Sequence, residues 1–426
     1  MKNGKLEFIR GIAALVVFFC HAGANFYQLR QNKLYTLLSN WGTESVIVFF
    51  ILSGIVIELS QRNNPKSAKV FMVNRLKRLY PLYIIGLLLP YSISGWQLWP
   101  ALGNLFFLGS LQGYIVPVPL LNPILWSLTF EFFFYCMYAV YIRTGYNRLF
   151  MRCWIVLSIV CIPLYYFQWP GVLGHFVMLF AFSSIWLIGR YLPLHISKFP
   201  KVSLLQAFFL FGLLFLAARI EYTRVYYCVV KYLVFTVVAL PIFSFCLQGR
   251  QDRTATAPDR TTAPLKWYYL ILAYILLLVG IRFFSHSLPS SKLVYSVAPI
   301  ATLGLSFLMT AGVRSLVLKA ALFLGYISYS LYMIHYPVQF FISRYTEKLN
   351  GVAVLLISLV VVVPLAYLGQ KGSERMFSRR YRGTAGNLRG KAENLREKAE
   401  TFQGNAAPVV SETSARVASD TAARAN

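Results

Sequence analysis

Arg10 and His21 lie eleven residues apart in an apolar stretch, KLEFIRGIAALVVFFCHAGAN, that also carries Glu7. At ~3.6 residues per turn, eleven positions make about three whole turns, so both side chains share one helix face. At ~1.5 Å rise per residue they stand ~16 Å apart along the axis, roughly half the hydrocarbon thickness of a bilayer. A permanent cation near one surface and a titratable imidazole toward the other suit an anion held at one end and a proton moved at the other. Ionisable groups are costly inside a membrane and by default point to function. A structural reading stands beside this one: Glu7 and Arg10 pair at the interface and His21 caps the outer end.

Two more charged positions interrupt apolar sequence. Glu131 sits in LWSLTFEFFFY, four residues after Ser127 and on the same helix face. A carboxylate flanked by phenylalanines needs a cationic partner or a proton. His335 sits in LGYISYSLYMIHYPV, where Ser328, Tyr332 and His335 follow one face at spacings of four and three. Pro337 is expected to bend the end of that helix and free a carbonyl near the imidazole. Both sites also admit a purely structural reading, as an ion pair and an interfacial histidine. His175, His195 and His286 fall at span ends or in loops and are assigned no role.

These residues need a membrane-spanning scaffold. Of 426 residues, 58% are hydrophobic, 16% aromatic and only 13% charged. Apolar runs near ~20 residues recur along the chain, as in transmembrane helices. The expected fold is all-α, a polytopic bundle of about ten to twelve spans. A net charge of +27 raises the question of nucleic acid. The basic residues, however, occupy short connections and the C-terminal tail, as the positive-inside rule requires, with no nucleic-acid motif beside them. Six cysteines without CxxC spacing indicate neither a disulfide framework nor a zinc site. The N-terminus resembles a signal peptide, but Glu7 and Arg10 interrupt its n-region, and the helix is expected to be retained.

Taken in order, spans are expected near Leu6–Ala24, Trp41–Leu59, Pro81–Leu89, Ile124–Ile142, Trp154–Phe167, His175–Tyr191, Leu204–Ala218, Cys228–Leu247, Trp267–Phe284, Leu293–Gly312, Ala321–Ile342 and Val352–Leu368. Leu102–Leu111 is short for a span and reads as re-entrant or interfacial. The loop Gln61–Tyr80 holds Arg62, Lys66, Lys69, Arg75, Lys77 and Arg78 without an acidic residue, which orients the first helix from inside to outside. An even number of spans leaves both termini cytoplasmic. Residues 1–370 form the expected membrane domain and 371–426 a basic, disordered cytoplasmic tail in which Asn387–Phe402 has the composition of a short polar helix. Counting from the basic loops puts His21, Glu131 and His335 in the outer half, and Arg10, Arg75, Lys77 and Arg78 on the inner side.

The stretches LEFIRGIAALVVFFCH, SVIVFFILSGIVI, NRLKRLYPLY, LWSLTFEFFFY and ISYSLYMIHYPV, in this order, resemble the acyltransferase 3 family of integral membrane O-acyltransferases. The resemblance runs roughly from Lys5 to Val338. It departs at Ser45-Val46-Ile47, where many members have Gly-Val-Asp, and no extracytoplasmic esterase-like domain follows. The resemblance implies transfer of an acyl group, commonly acetyl from acetyl-CoA, to a hydroxyl of a polysaccharide or lipid-linked glycan, in a bacterial inner membrane. It implies no permanent cofactor and no metal, with acyl-CoA as donor substrate. Arg10, Arg75, Lys77 and Arg78 suit the CoA phosphates. His21 or His335 suits the base that deprotonates the acceptor, with Glu131 holding the imidazole tautomer or the acceptor. A secondary transporter of a glycan or small anion, and a non-catalytic partner in envelope assembly, are the competing readings; the absence of repeated halves counts against the transporter.

Overall fold

The computed structural model describes residues 4–30, 35, 41–95, 97–218, 229–251, 263–284, 297–303 and 311–375. Helices dominate because a backbone in lipid must satisfy its own hydrogen bonds. The long helices are α1 (Gly4–Asn25), α2 (Gly42–Asn63), α3 (Ala68–Ser94), α4 (Trp126–Arg143), α5 (Arg148–Tyr165), α6 (Gly171–Tyr191), α7 (Leu204–Ala217), α8 (Val229–Gln251), α9 (Trp267–Phe284), α10 (Ala311–Ser343) and α11 (Gly351–Arg375). Among the described residues, eight helical segments are long and apolar enough to cross a bilayer, and two shorter apolar helices, α7 and α9, accompany them. The fold is thus an all-α polytopic bundle. The chain divides into a compact unit Met1–Gln370 and a second unit Lys371–Asn426, of which only the end of α11 is described. The polar helix expected at Asn387–Phe402 lies outside the described residues, as do most of the Leu293–Gly312 span and residues 252–262.

One element differs from expectation. The basic stretch before Pro81 is not a loop: α3 starts at Ala68, where the Ser67 side chain accepts from Val70 N, and runs through Pro81 and Pro90 to Ser94. Arg75, Lys77 and Arg78 therefore stand on a helix, which turns Lys77 away from Arg75 and Arg78. α10 spans 33 residues, about 50 Å at ~1.5 Å each, and Pro337 lies inside it. The Leu102–Leu111 segment becomes a short helix, Leu98–Leu105, and a two-residue strand, Gly109–Ser110, paired in parallel with Val116–Pro117.

Prolines within helices leave the carbonyl four residues earlier without its helical partner. For Pro90 that carbonyl is Gly86, and for Pro337 it is Met333. One side chain serves both. Asn122, fully buried just before α4, donates its Nδ2 to Gly86 O at 2.8 Å and Met333 O at 3.3 Å. The two proline sites are thereby tied to each other and to the start of α4.

Small residues permit the closest helix crossings. A Cβ on Gly11 of α1 would lie 2.0 Å from Ala321 O of α10, and one on Gly325 would lie 2.3 Å from Glu7 O. Gly54 of α2 and Gly189 of α6 meet in the same way. One helical turn from that crossing, Glu58 and Arg190 form a buried ion pair at 3.1 Å, to which the Tyr138 hydroxyl adds a bond at 3.2 Å. A second pair, Glu44 with Lys231 at 2.9 Å, ties α2 to α8.

Candidate active site

The contact of α1 with α10 builds the first half of the site. The two helices run parallel: Glu7 meets Gly325, His21 meets His335 and Asn25 meets Gln339. This register carries the Arg10-to-His21 face of α1 along the Ser328-to-His335 face of α10. His21 Nδ1 and His335 Nε2 are 2.9 Å apart, and the rings lie 5.1 Å apart with a 33° tilt. Phe18 and Tyr336 enclose the pair, and His335 is 1% exposed.

Hydrogen-bond accounting assigns the protons. His335 Nδ1 lies 2.9 Å from Leu331 O. A carbonyl only accepts, so His335 carries its proton on Nδ1 and presents Nε2 as an acceptor. His21 must then donate from Nδ1, which leaves His21 Nε2 as the unprotonated nitrogen of the pair. His335 thus holds the tautomer and orientation of His21, the task a carboxylate performs in a serine hydrolase triad. The backbone of α1 is held in turn by Gln339, whose Nε2 donates to Phe18 O at 3.1 Å.

The second half of the site is a cavity among α1, α2, α3, α4 and α10, of ≈ 700 Å³ with the open space at its mouth included. Arg10, Arg75, Arg78, Glu131 and Tyr135 supply its charged and phenolic wall; Phe49, Ser127, Ser328 and Tyr332 are also among its lining residues. Arg10 is bonded to Glu7 at 2.7 Å, so the interfacial pair proposed from the sequence exists, and its guanidinium still lines the cavity. Arg75 and Arg78 are three apart on α3 and face the same way. The Arg75 guanidinium rests against the rings of Phe71 and Tyr135, at 5.2 and 5.5 Å. Its Nε is buried with no hydrogen-bond partner among the described residues. Three guanidiniums against the carboxylates of Glu131 and Glu7 leave one positive charge in excess, a composition suited to an anion.

Glu131 is grouped differently from the sequence reading. It lies in the arginine cavity, where it accepts from the Tyr135 hydroxyl and interacts electrostatically with Arg75 and Arg10, while His335 is the partner of His21. The reason is helical direction: Ser127, Glu131 and Tyr135 form one i, i+4 stripe on α4, and that stripe lines the cavity. Lys77 is also apart. It is exposed and absent from the cavity wall, because two residues of helix turn it some 200° from Arg75.

Several residues of the site escaped the sequence reading. Tyr135 was detectable as the next member of the stripe that begins at Ser127. Asn122 was not, since its partners Gly86 and Met333 are 36 and 211 residues away. Tyr332 was placed on the His335 face, but not its hydroxyl contacts: 2.7 Å from Ser127 Oγ and 3.1 Å from Ile124 O. No three His, Cys, Asp or Glu side chains cluster as metal ligands among the described residues.

Comparison with known proteins agrees with this architecture. An acyltransferase-domain family profile matches residues 3–370. Acyltransferase MdmB of Streptomyces mycarofaciens is 29% identical over 183 residues, which cover 38% of this chain and 46% of that protein. The matched segment thus spans about half the length of this curated relative. No solved structure matches the chain. The profile takes in the His21–His335 pair and the arginine cavity alike, and the chain belongs to the acyltransferase 3 family.

Proposed function

We propose that this protein transfers an acyl group from acyl-CoA to a hydroxyl of an envelope or exported polysaccharide or glycolipid. In this reading the arginine cavity holds the donor's anionic part through Arg10, Arg75 and Arg78, and the histidine pair is the base. The observation that carries it is the 2.9 Å contact of His21 and His335 beside a cavity with unbalanced arginine charge. As the acceptor oxygen attacks the thioester carbonyl, its proton passes to His21 Nε2. Collapse of the tetrahedral intermediate expels the CoA thiolate, which recovers that proton from the imidazolium. His335 stabilises the transient cation by continuing to accept from Nδ1. Family membership supports acyl transfer, and the basic cavity supports a phosphate-bearing donor; acetyl is the group expected from the resemblance. The resemblance favours a bacterial inner membrane, and the distribution of basic residues favours termini on its cytoplasmic side.

The test uses purified protein in detergent with radiolabelled acetyl-CoA and a panel of glycan acceptors. Label recovered as a base-labile ester on a hydroxyl supports the reading. Binding of acceptor or donor without label transfer would favour the transporter.

A further inference from the structure

The arginine cavity and the histidine pair are separated by a partition, and the partition is held in place. Tyr332 belongs to both sides: its side chain lines the cavity, and its ring lies 6.0 Å from that of His335. Phe49 of α2 also lines the cavity and packs edge-on against Tyr332, with ring centroids 6.0 Å apart. Neither His21 nor His335 contributes to the cavity wall. Along α10, Ser328, Tyr332 and His335 occupy successive turns, so the order from the arginine end is cavity, Tyr332, histidines.

Tyr332 is not a loose side chain. It is buried, and its hydroxyl sits between Ser127 Oγ at 2.7 Å and Ile124 O at 3.1 Å. Ser127 Oγ donates to the same Ile124 carbonyl at 3.1 Å. Both acceptor and hydroxyl lie at the start of α4, which Asn122 ties to the carbonyl of Met333, one residue beyond Tyr332. The ring is therefore braced at its hydroxyl end by α4 and on one face by Phe49.

We propose that Tyr332, backed by Phe49, sets the length of acyl chain that reaches His21, and restricts the donor to short acyl groups of about two to three carbons. The proposal rests on the acyl-transfer reading above and names the donor class within it. A thioester extending from the arginines toward His21 must bring its acyl end against the braced ring. Each further methylene then displaces packed side chains instead of filling free space. A pocket of this kind discriminates by roughly 10- to 200-fold per methylene.

The experiment compares initial rates with acetyl-, butyryl- and hexanoyl-CoA for wild type, Tyr332→Leu, Tyr332→Phe and Phe49→Leu, each purified in detergent. Wild type should prefer acetyl-CoA over hexanoyl-CoA by at least 100-fold. Tyr332→Leu should reduce that preference at least tenfold, and Phe49→Leu should shift it in the same direction if the tyrosine variant is not recovered folded. Tyr332→Phe keeps the ring and should keep the preference, whatever its rate. Equal use of the three donors by wild type, or an unchanged ratio in the folded leucine variants, overturns the partition while leaving acyl transfer intact. Failure of wild type to use any acyl-CoA overturns both the partition and the reading beneath it.

Discussion

Among single residues, His21 and His335 form one hydrogen-bonded pair, with Nδ1 of the first 2.9 Å from Nε2 of the second. His21→Ala should abolish transfer, and general-base loss typically costs ~10²–10⁴ in rate. His335→Ala frees the His21 ring and releases its tautomer. Its loss should be large, and the double variant should be no worse than His21→Ala by more than about threefold, a non-additivity expected of residues that touch. Turnover of the three purified variants checks this, and independent, multiplying losses would refute the coupling. Arg75 and Lys77 provide the second comparison. Arg75→Ala should raise the donor KM by about 10- to 100-fold, from the ~1.5–3 kcal/mol of a charge-assisted hydrogen bond. Lys77→Ala should leave it within about twofold, since Lys77 is exposed away from the cavity. Donor KM measured side by side separates them.

Among elements, the crossing of α1 with α10 sets the histidine register, and it depends on the missing side chains of Gly11 and Gly325. Gly11→Leu would place its Cβ against the Ala321 carbonyl and force the helices apart. Overpacking of this kind costs ~1–3 kcal/mol or more, and the displaced register should remove activity along with stability. Thermal unfolding in detergent together with activity reads both effects; a fully active, equally stable variant would show that the crossing is wider than described. Asn122 holds the other elements. Asn122→Ala strips the donor from two buried carbonyls that helix prolines have already orphaned, each worth ~1–3 kcal/mol when unsatisfied. It should lower the melting temperature by several degrees, whereas Asn122→Asp, isosteric but without the amide donor, should not restore it. The same melting assay on both variants decides the point.

For the whole molecule, the bundle sorts charge by side. The connection between α2 and α3 and the start of α3 carry Arg62, Lys66, Lys69, Arg75, Lys77 and Arg78, which the positive-inside rule assigns to the cytoplasm. A cysteine introduced at exposed Ser67 should react with a membrane-impermeant thiol reagent only from the cytoplasmic face, in a background lacking exposed Cys153. One at exposed Gln97, at the far end of α3, should react only from the opposite face. Reversed labelling would place the arginine cavity toward the outside and remove its access to a cytoplasmic donor. Buried ion pairs between helices add a constraint of their own. Breaking Glu58–Arg190 by Glu58→Ala leaves an uncompensated guanidinium in the interior, a loss of ~3–5 kcal/mol that should appear as poor recovery of folded protein.

The sequence alone determined the class of fold, because hydropathy over ~20 residues is a local property and lipid forces each such run to bond its own backbone. It also determined which residues are chemically out of place: Arg10, His21, Glu131 and His335 stand out because charged and titratable groups are costly in apolar spans. The order of five motifs was enough to point to the family that residues 3–370 confirm. What tertiary structure decided is which of these residues meet. His21 and His335 are 314 residues apart, and only the parallel register of α1 and α10 makes them a pair. Glu131 joined the arginines and not the histidines because a helical stripe has one direction, and packing chose it. Lys77 left the site because a stretch read as a loop became a helix, in which neighbours at i and i+2 face apart. The prolines were visible as breaks, but the amide that repairs two of them at once exists only where α3, α4 and α10 converge.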